Sequence, residues 1–284
     1  MSLWYQKLGL KYPVFQGGMA WASNPELVAA VSNSGALGII GSGGRSAQQL
    51  QKMITQVKEL TKSAFGVNLM LQDDNIEELC KVICYEKVRV VTTGAGTPKL
   101  YLAALNQAGC QVFPVVPSAT IALKMFALPI AGVIVEGQLA GGHVGDFQTK
   151  ELVQQLALKT AKPILAAGGI YDYQDALAMY NLGAAGIQAG TIFLAAQECQ
   201  LHPNYRQLLI KSHPKATLIR ISQNGYRARV LKLAVKNQNM SLRLAVQAGD
   251  LERGAFMAGE VAARITRIEP AAKIVERLTN AKCD

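Results

Sequence analysis

The sequence predicts an α/β chain folded as a (β/α)8 TIM barrel with a small C-terminal excursion or lid, on three observations. Eight short apolar, β-branched runs recur roughly 20 to 31 residues apart, room for one strand, one helix and two loops. Amphipathic helical patterns fill the gaps between them. Most of the runs pass directly into glycine, which puts the conformationally permissive residues at the C-terminal strand ends, where such barrels place their sites. Near-continuous apolar strands alternating with helices imply a parallel sheet covered by helices, and eight units favour a closed barrel over an open doubly wound sheet.

In chain order the first four runs are Val14-Phe15-Gln16-Gly17-Gly18, Leu37 to Gly41, Phe65 to Met70 and Val88 to Gly94. The next four are Val112 to Val116, Val133-Ile134-Val135-Glu136-Gly137, Pro163 to Gly169 and Gly186 to Thr191. Helices are predicted over Pro25 to Ser34 with Asn24 as N-cap, Ser46 to Thr61, Asn75 to Glu86 and Pro98 to Ala108, then Ala119 to Phe126, Thr149 to Thr160 and Tyr173 to Leu182. After Thr191 the rhythm stops. The expected division is a barrel core over residues 1–199, an irregular or helical, basic lid or substrate-side subdomain over 200–254, and a helical segment over 255–284 that packs back on the barrel.

Half of the 284 residues are hydrophobic and they are spread throughout, so a large core is available. No apolar run approaches the ~20 residues of a membrane span, and Met1 to Lys11 lacks the apolar centre of a signal peptide, so a soluble, cytoplasmic protein is expected. Five cysteines (Cys80, Cys84, Cys110, Cys199, Cys283) are scattered and lack the partners of a metal site, which reads as reduced thiols and no metal. The net charge of +10 gathers between Arg206 and Lys236, where eight cations occur without one acidic residue. Such a stretch suits a phosphorylated cofactor, an acidic carrier protein or plain solvent. Aromatic residues are sparse there and no nucleic-acid motif appears, so nucleic acid is not expected.

The stretch from Glu136 to His143 is the most informative. It spends three glycines (Gly137, Gly141, Gly142) behind a buried-type strand and ends on one of only three histidines. Such a loop lets backbone approach a flat or anionic ligand, with His143 placed to exchange a proton with it. Gly17 and Gly18 form either a tight turn or a seat for a ring system, on which Met19 packs through its sulfur. Asn68 and Glu136 sit in otherwise apolar strands and need polar partners, from a ligand or from a neighbouring strand end. Gly168 and Gly169 after the seventh strand, with Gly190 and Thr191 after the eighth, have the form of a phosphate grip built from backbone N–H groups.

These segments, with Val91-Thr92-Thr93-Gly94-Ala95-Gly96, Pro114 to Ser118, His202-Pro203-Asn204-Tyr205 and Met257-Ala258-Gly259 following in the same order, resemble the FMN-dependent barrel family that includes enoyl-acyl-carrier-protein reductase II and nitronate monooxygenase (2-nitropropane dioxygenase). The likeness runs over about the first 205 residues and resumes at Phe256, and the motifs are specific jointly, not singly. It implies an FMN across the barrel mouth, its ring by Gly17, Gly18 and Met19, with Asn68 and Glu136 near the ring or ribityl chain. The phosphate would lie at Gly168, Gly169, Gly190 and Thr191, and His143 would be the catalytic histidine. It further implies a fatty-acid-biosynthesis reductase in which NAD(P)H drives reduction of a 2-enoyl thioester, with an acidic acyl carrier protein as a possible partner. The alternatives are a nitronate monooxygenase using O2 and a flavin-binding barrel without turnover. A homodimer is the expected assembly. Against the reductase pattern the stretch Asn237 to Gly254 is shortened, and His202 and His213 read as a loop anchor and a solvated residue.

Overall fold

The computed structural model describes residues 3–221, 227–232 and 240–281, so Lys236, Cys283 and part of the shortened stretch lie outside the described residues. Six strands alternate with helices from the start: β1 (Val14–Gln16), β2 (Gly38–Gly41), β3 (Phe65–Met70), β4 (Val90–Gly94), β5 (Gln111–Val116) and β6 (Val133–Glu136). The two-residue β7 (Gly142–His143) belongs to another sheet, and β8 (Ile164–Ala167) and β9 (Gly186–Ala189) complete the barrel. All eight barrel strands are parallel, in the order β1-β9-β8-β6-β5-β4-β3-β2, and a parallel bridge between Phe15 and Leu37 closes the circle. The predicted (β/α)8 barrel is the observed fold.

Strand alternation sorts the apolar residues. Phe15, Ile39, Val90, Phe113, Ile134 and Leu165 form an interior cluster, while Val14, Ile40, Val67, Val91, Val112 and Val135 join the larger cluster under the helices. The N-terminal end of the barrel is plugged. Leu8 and Leu10 enter the interior cluster, and the Trp4 ring lies 6.0 Å from Phe15 and 5.9 Å from Phe113, its indole N–H donating to Ala185 O at 2.9 Å. Space for a ligand is therefore left at the C-terminal end.

The helices are α1 (Pro25–Asn33), α2 (Ala47–Leu60), α3 (Ile76–Tyr85), α4 (Leu102–Gln107), α5 (Ala119–Phe126), α6 (Thr149–Leu156), α7 (Tyr173–Asn181), α8 (Pro203–Ile210) and α9 (Ala271–Thr279). Ser46 and Gln49 start α2 with reciprocal capping bonds. Asn24 has N-cap dihedrals but makes no capping bond, because its amide is committed to Glu198 O and Gln200 N. Helix α6 stops short of the predicted Thr160: Leu158 is 99% exposed there, and Thr160 Oγ1 takes the Lys162 N–H in a local turn. The predicted Pro98 to Ala108 helix splits into a 3-10 turn, Pro98–Leu100, and α4. Helix α9 packs against both α1 and α7, in the place the eighth helix of the ring would take.

The excursion corrects the sequence reading. Helical segments are present at α8 and at Leu244–Ala248, but between them β10 (Thr217–Ile221) and β11 (Arg227–Leu231) pair antiparallel, and β11 pairs in turn with β7. Arginines interrupt the apolar alternation of both strands, which hides their period in the sequence. The loop that carries the candidate histidine is thus the third strand of a small sheet.

Candidate functional site

A cavity of about 640 Å³ opens at the C-terminal end of the barrel, within the usual size of a small-molecule site. All twelve residues singled out in the sequence line it. Gly17, Gly18 and Met19 follow β1, Asn68 comes from β3 and Glu136 ends β6. Gly141, Gly142 and His143 lead into and form β7, Gly168 and Gly169 follow β8, and Gly190 and Thr191 follow β9.

Four strands carry a polar residue toward the floor, Asn68 of β3, Thr92 of β4, Glu136 of β6 and Gln188 of β9, while the positions two beyond Phe15, Ile39, Phe113 and Leu165 are Gly17, Gly41, Val115 and Ala167. Thr92 Oγ1 donates to Asn68 Oδ1 at 2.8 Å, so a neighbouring strand meets part of the need of that buried amide. Among the described residues no cation forms an ion pair with Glu136, and burial pushes its carboxyl up to about 8. Gln188 Oε1 is buried without a hydrogen-bond partner among the described residues. Sequence reasoning passed over Gln188, although the argument applied to Asn68, an amide in an apolar strand, would have found it. It named Met257 only as part of a family-like segment, and that residue reaches the wall from far along the chain.

The glycines divide by cause. At Gly18 a Cβ would stand 2.3 Å from Asn68 Cβ, and at Gly141 2.6 Å from Gly259 N, so protein packing alone demands glycine there. At Gly190 the nearest atoms to a Cβ are those of Met19 at 3.8 Å, which leaves room on the cavity side. Gly168 and Gly169 both have positive φ, +95° and +81°, a consecutive left-handed pair that a side chain would strain. Thr191 Oγ1 accepts from Gly259 N at 2.9 Å, which ties the C-terminal segment to this edge and leaves the hydroxyl hydrogen for another acceptor.

His143 sits on β7, opposite Ala228 of β11. Desolvation lowers its pKa below the ordinary imidazole value, so the ring is neutral at pH 7. One guanidinium braces its loop. Arg229 donates to Gln138 O from Nε (3.1 Å) and Nη2 (2.9 Å), and from Nη1 to Thr217 Oγ1 (3.0 Å) and Glu260 Oε1 (2.5 Å). The basic stretch is accordingly less of a free cationic face than its composition suggests. Arg229 is buried, Arg227 pairs with Asp146, and Arg206 donates to Cys199 O at 2.6 Å. His202 Nδ1 accepts from Asn204 N, anchoring the start of α8, and Tyr205 donates to Met257 O at 2.6 Å. His213 contacts Pro214 O at the surface. Four cysteines are free thiols, no cluster of metal ligands occurs among the described residues, and none of their helices is long and apolar enough to cross a membrane.

Glu136 carries a testable linkage. Its folded pKa of about 8 lies above the ordinary ~4.3, so the native state holds a proton that the unfolded chain has released. Stability tied to this group is present below pH ~4 and is lost as pH rises through 8. Glu136→Gln is therefore expected to stabilise the protein relative to the parent increasingly from pH 5 to pH 8, by up to a few kcal/mol, read as a growing difference in Tm. Parallel Tm profiles for the two proteins across that window would show the carboxyl to be solvated.

Comparison with known proteins gives the following. The nitronate monooxygenase family model matches residues 2–85 and 75–245. A (3aS,4S,5R,7aS)-5-hydroxy-7a-methyl-1-oxo-octahydro-1H-indene-4-carboxyl-CoA dehydrogenase of Rhodococcus jostii is 32% identical over 81% of the chain, which spans 65% of that relative's length. A probable nitronate monooxygenase of Staphylococcus aureus is 31% identical, covering 79% of this chain and 76% of that one. Among solved structures, FabK from Thermotoga maritima superposes with a TM-score of 0.94 at 38% identity, covering 99% of this chain and 96% of that one. A nitroalkane oxidase from Streptomyces ansochromogenes superposes with a TM-score of 0.86 at 25% identity, covering 98% and 97%.

Proposed function

Because the chain belongs to the nitronate monooxygenase family, whose members and neighbours are flavin-dependent oxidoreductases, we propose that it is an FMN-dependent enzyme that uses NAD(P)H to reduce a 2-enoyl thioester. The observation that carries this choice within the family is the likeness to FabK, an enoyl-acyl-carrier-protein reductase II, along nearly the whole chain at 38% identity. The Rhodococcus relative, named for a CoA thioester substrate, supports the same substrate class.

The cavity fits a flavin mononucleotide on its own features. It has a buried amide oxygen at Gln188 awaiting a donor, a neutral carboxyl at Glu136, and at Gly190 a space that a methyl group would fill. Bound there, FMN would supply the hydride chemistry, accepting from NAD(P)H and donating to the β-carbon of the enoyl thioester. The chain's own part is to hold and to move protons. Backbone N–H groups at Gly168, Gly169, Gly190 and Thr191, with the Thr191 hydroxyl, would hold the phosphate. Gly17, Gly18 and Met19 would seat the ring, with Asn68, Glu136 and Gln188 on its polar edge and Gly141 and Gly142 keeping the His143 side open. His143, neutral at pH 7, would donate its ring N–H to the thioester carbonyl oxygen as charge develops there.

Anaerobic mixing of the purified yellow protein with NADPH or NADH, followed by a 2-enoyl thioester, tests this reading. Bleaching by the nucleotide and reoxidation by the thioester are expected; an inert flavin would overturn it. A second reading, oxidation of nitronates with O2, is supported by the likeness to the nitroalkane oxidase. In that case a nitronate bleaches the flavin and the nicotinamide nucleotide does not. Gly190→Ala tests the cofactor seat itself. Its φ of −112° accepts alanine and the protein leaves room for the methyl, so the stability of the apoprotein should hold within about 1 kcal/mol while FMN binds at least about tenfold more weakly. Unchanged FMN affinity would move the phosphate elsewhere.

A further inference from the structure

A second pocket, about 630 Å³, lies beside the barrel mouth and shares two segments of chain with the cavity. Ala20, Ala22 and Leu242 line the cavity; Trp21, Val246 and Gln247 line the pocket. Trp21 is its focus. The guanidinium carbon of Arg45 lies 4.6 Å from the Trp21 ring centroid and that of Arg243 lies 5.0 Å from it. Arg45 Nε is buried without a hydrogen-bond partner, and among the described residues no carboxylate forms an ion pair with either arginine. Lys52 stands on the same wall.

Two guanidiniums gathered on one indole repel each other, and their mutual repulsion is unrelieved by any described acid. Burial, and then the charge of Arg243, lowers the pKa of Arg45, as uncompensated charge does. Trp21 adds strain of its own: its φ is +63°, in the left-handed region that a bulky residue avoids, and strain of this kind gathers at ligand clamps. An anion answers all of these costs at once. The guanidinium fork matches phosphate oxygens, Lys52 supplies a point charge, and the volume is that of a nucleotide-sized ligand.

We propose that this pocket grips the phosphate-bearing nucleotide end of the substrate or co-substrate while the reacting end lies in the cavity beside His143. The choice of a nucleotide rests on the enzyme reading given under Proposed function; the anion grip does not. Two sources carry this chemistry, the 2′-phosphorylated ADP end of NADPH and the 3′-phosphorylated ADP end of a CoA thioester.

The chain has two tryptophans, and Trp4 lies in the plug at the far end of the barrel. In Trp4→Phe protein Trp21 becomes the sole indole reporter. Titration with 2′,5′-ADP and 3′,5′-ADP at low salt is expected to give a saturable fluorescence change with one of them and none with adenosine. The first ligand assigns the grip to NADPH and the second to a CoA thioester. Arg45→Ala should weaken that binding roughly tenfold or more, Arg243→Ala by less because Arg45 and Lys52 line the pocket and Arg243 reaches it only beside Trp21, and added salt should weaken it in the parent. Titration calorimetry on the unaltered chain supplies the same readout should Trp4→Phe not fold. Absence of saturation with both nucleotides at millimolar concentration, or equal affinity in the arginine variants, would overturn the proposal. Neither flavin nor turnover enters the measurement, so binding without enoyl reduction removes only the catalytic reading, and reduction without binding removes only the grip.

Discussion

His143→Ala is expected to leave FMN bound and to slow the substrate half-reaction at least tenfold, within the roughly 10²- to 10⁴-fold range of general acid–base catalysis. The cofactor should stay because the proposed seat and grip lie on the loops after β1, β8 and β9, while β7 is held to β11 through main-chain pairing that alanine keeps. What disappears is a ring whose protonation is set by its surroundings. Desolvation lowers the His143 pKa, so the neutral form predominates at pH 7 and the cation appears only as pH falls below the ordinary imidazole range. In the parent the half-reaction should therefore change across that acid limb, and in the alanine variant the limb should be flat. Rapid-mixing kinetics of the flavin signal from pH 5 to pH 8 read both effects. An alanine variant with the parent's rate and the parent's profile would sink the role assigned to His143.

The barrel was legible because its two faces leave separate marks in the sequence. Val14 and Phe15, or Val90 and Val91, alternate between the interior and the helix layer, and both positions must be apolar, so a strand reads as a continuous run. The cavity wall was legible for a different reason: residues at the strand ends are out of character with the runs before them. Asn68 and Glu136 are polar where Val67 and Val135 are not, and Gly168 and Gly169 form a left-handed pair that other residues resist. The hairpin of β10 and β11 left no such contrast. Arg220, Arg227 and Arg229 stand where a half-buried strand would carry apolar or neutral residues, and charge patterning there suggests a solvated face. Only tertiary contacts disclose that Arg229 turns inward to meet Gln138 O, Thr217 and Glu260, which are remote from one another in sequence. The pairing of β11 with β7 is equally non-local and has no counterpart in any single segment.

That brace gives the second large effect. Glu260→Ala is expected to destabilise the protein by about 3 kcal/mol and to slow the substrate half-reaction along with it. The Arg229 side chain is only 9% exposed, so removal of its carboxylate leaves a buried cation with two neutral acceptors, Gln138 O and Thr217 Oγ1. Loss of one member of a buried pair costs about 3–5 kcal/mol, and the Glu260 side chain, 36% exposed, puts this pair at the low end. At roughly 2 °C per kcal/mol for a chain of this size, Tm should fall by about 6 °C. Glu260→Gln retains an acceptor for the guanidinium and should recover part of the loss. Arg229→Met with Glu260→Leu removes both charges and should recover stability, since an apolar pair of similar bulk avoids the desolvation cost. It should not recover rate, because the bond to Gln138 O that holds the 136–143 loop is gone as well. A split between stability and rate in that double variant identifies Arg229 as a positioning residue for His143, and recovery of both together would reduce it to a structural contact.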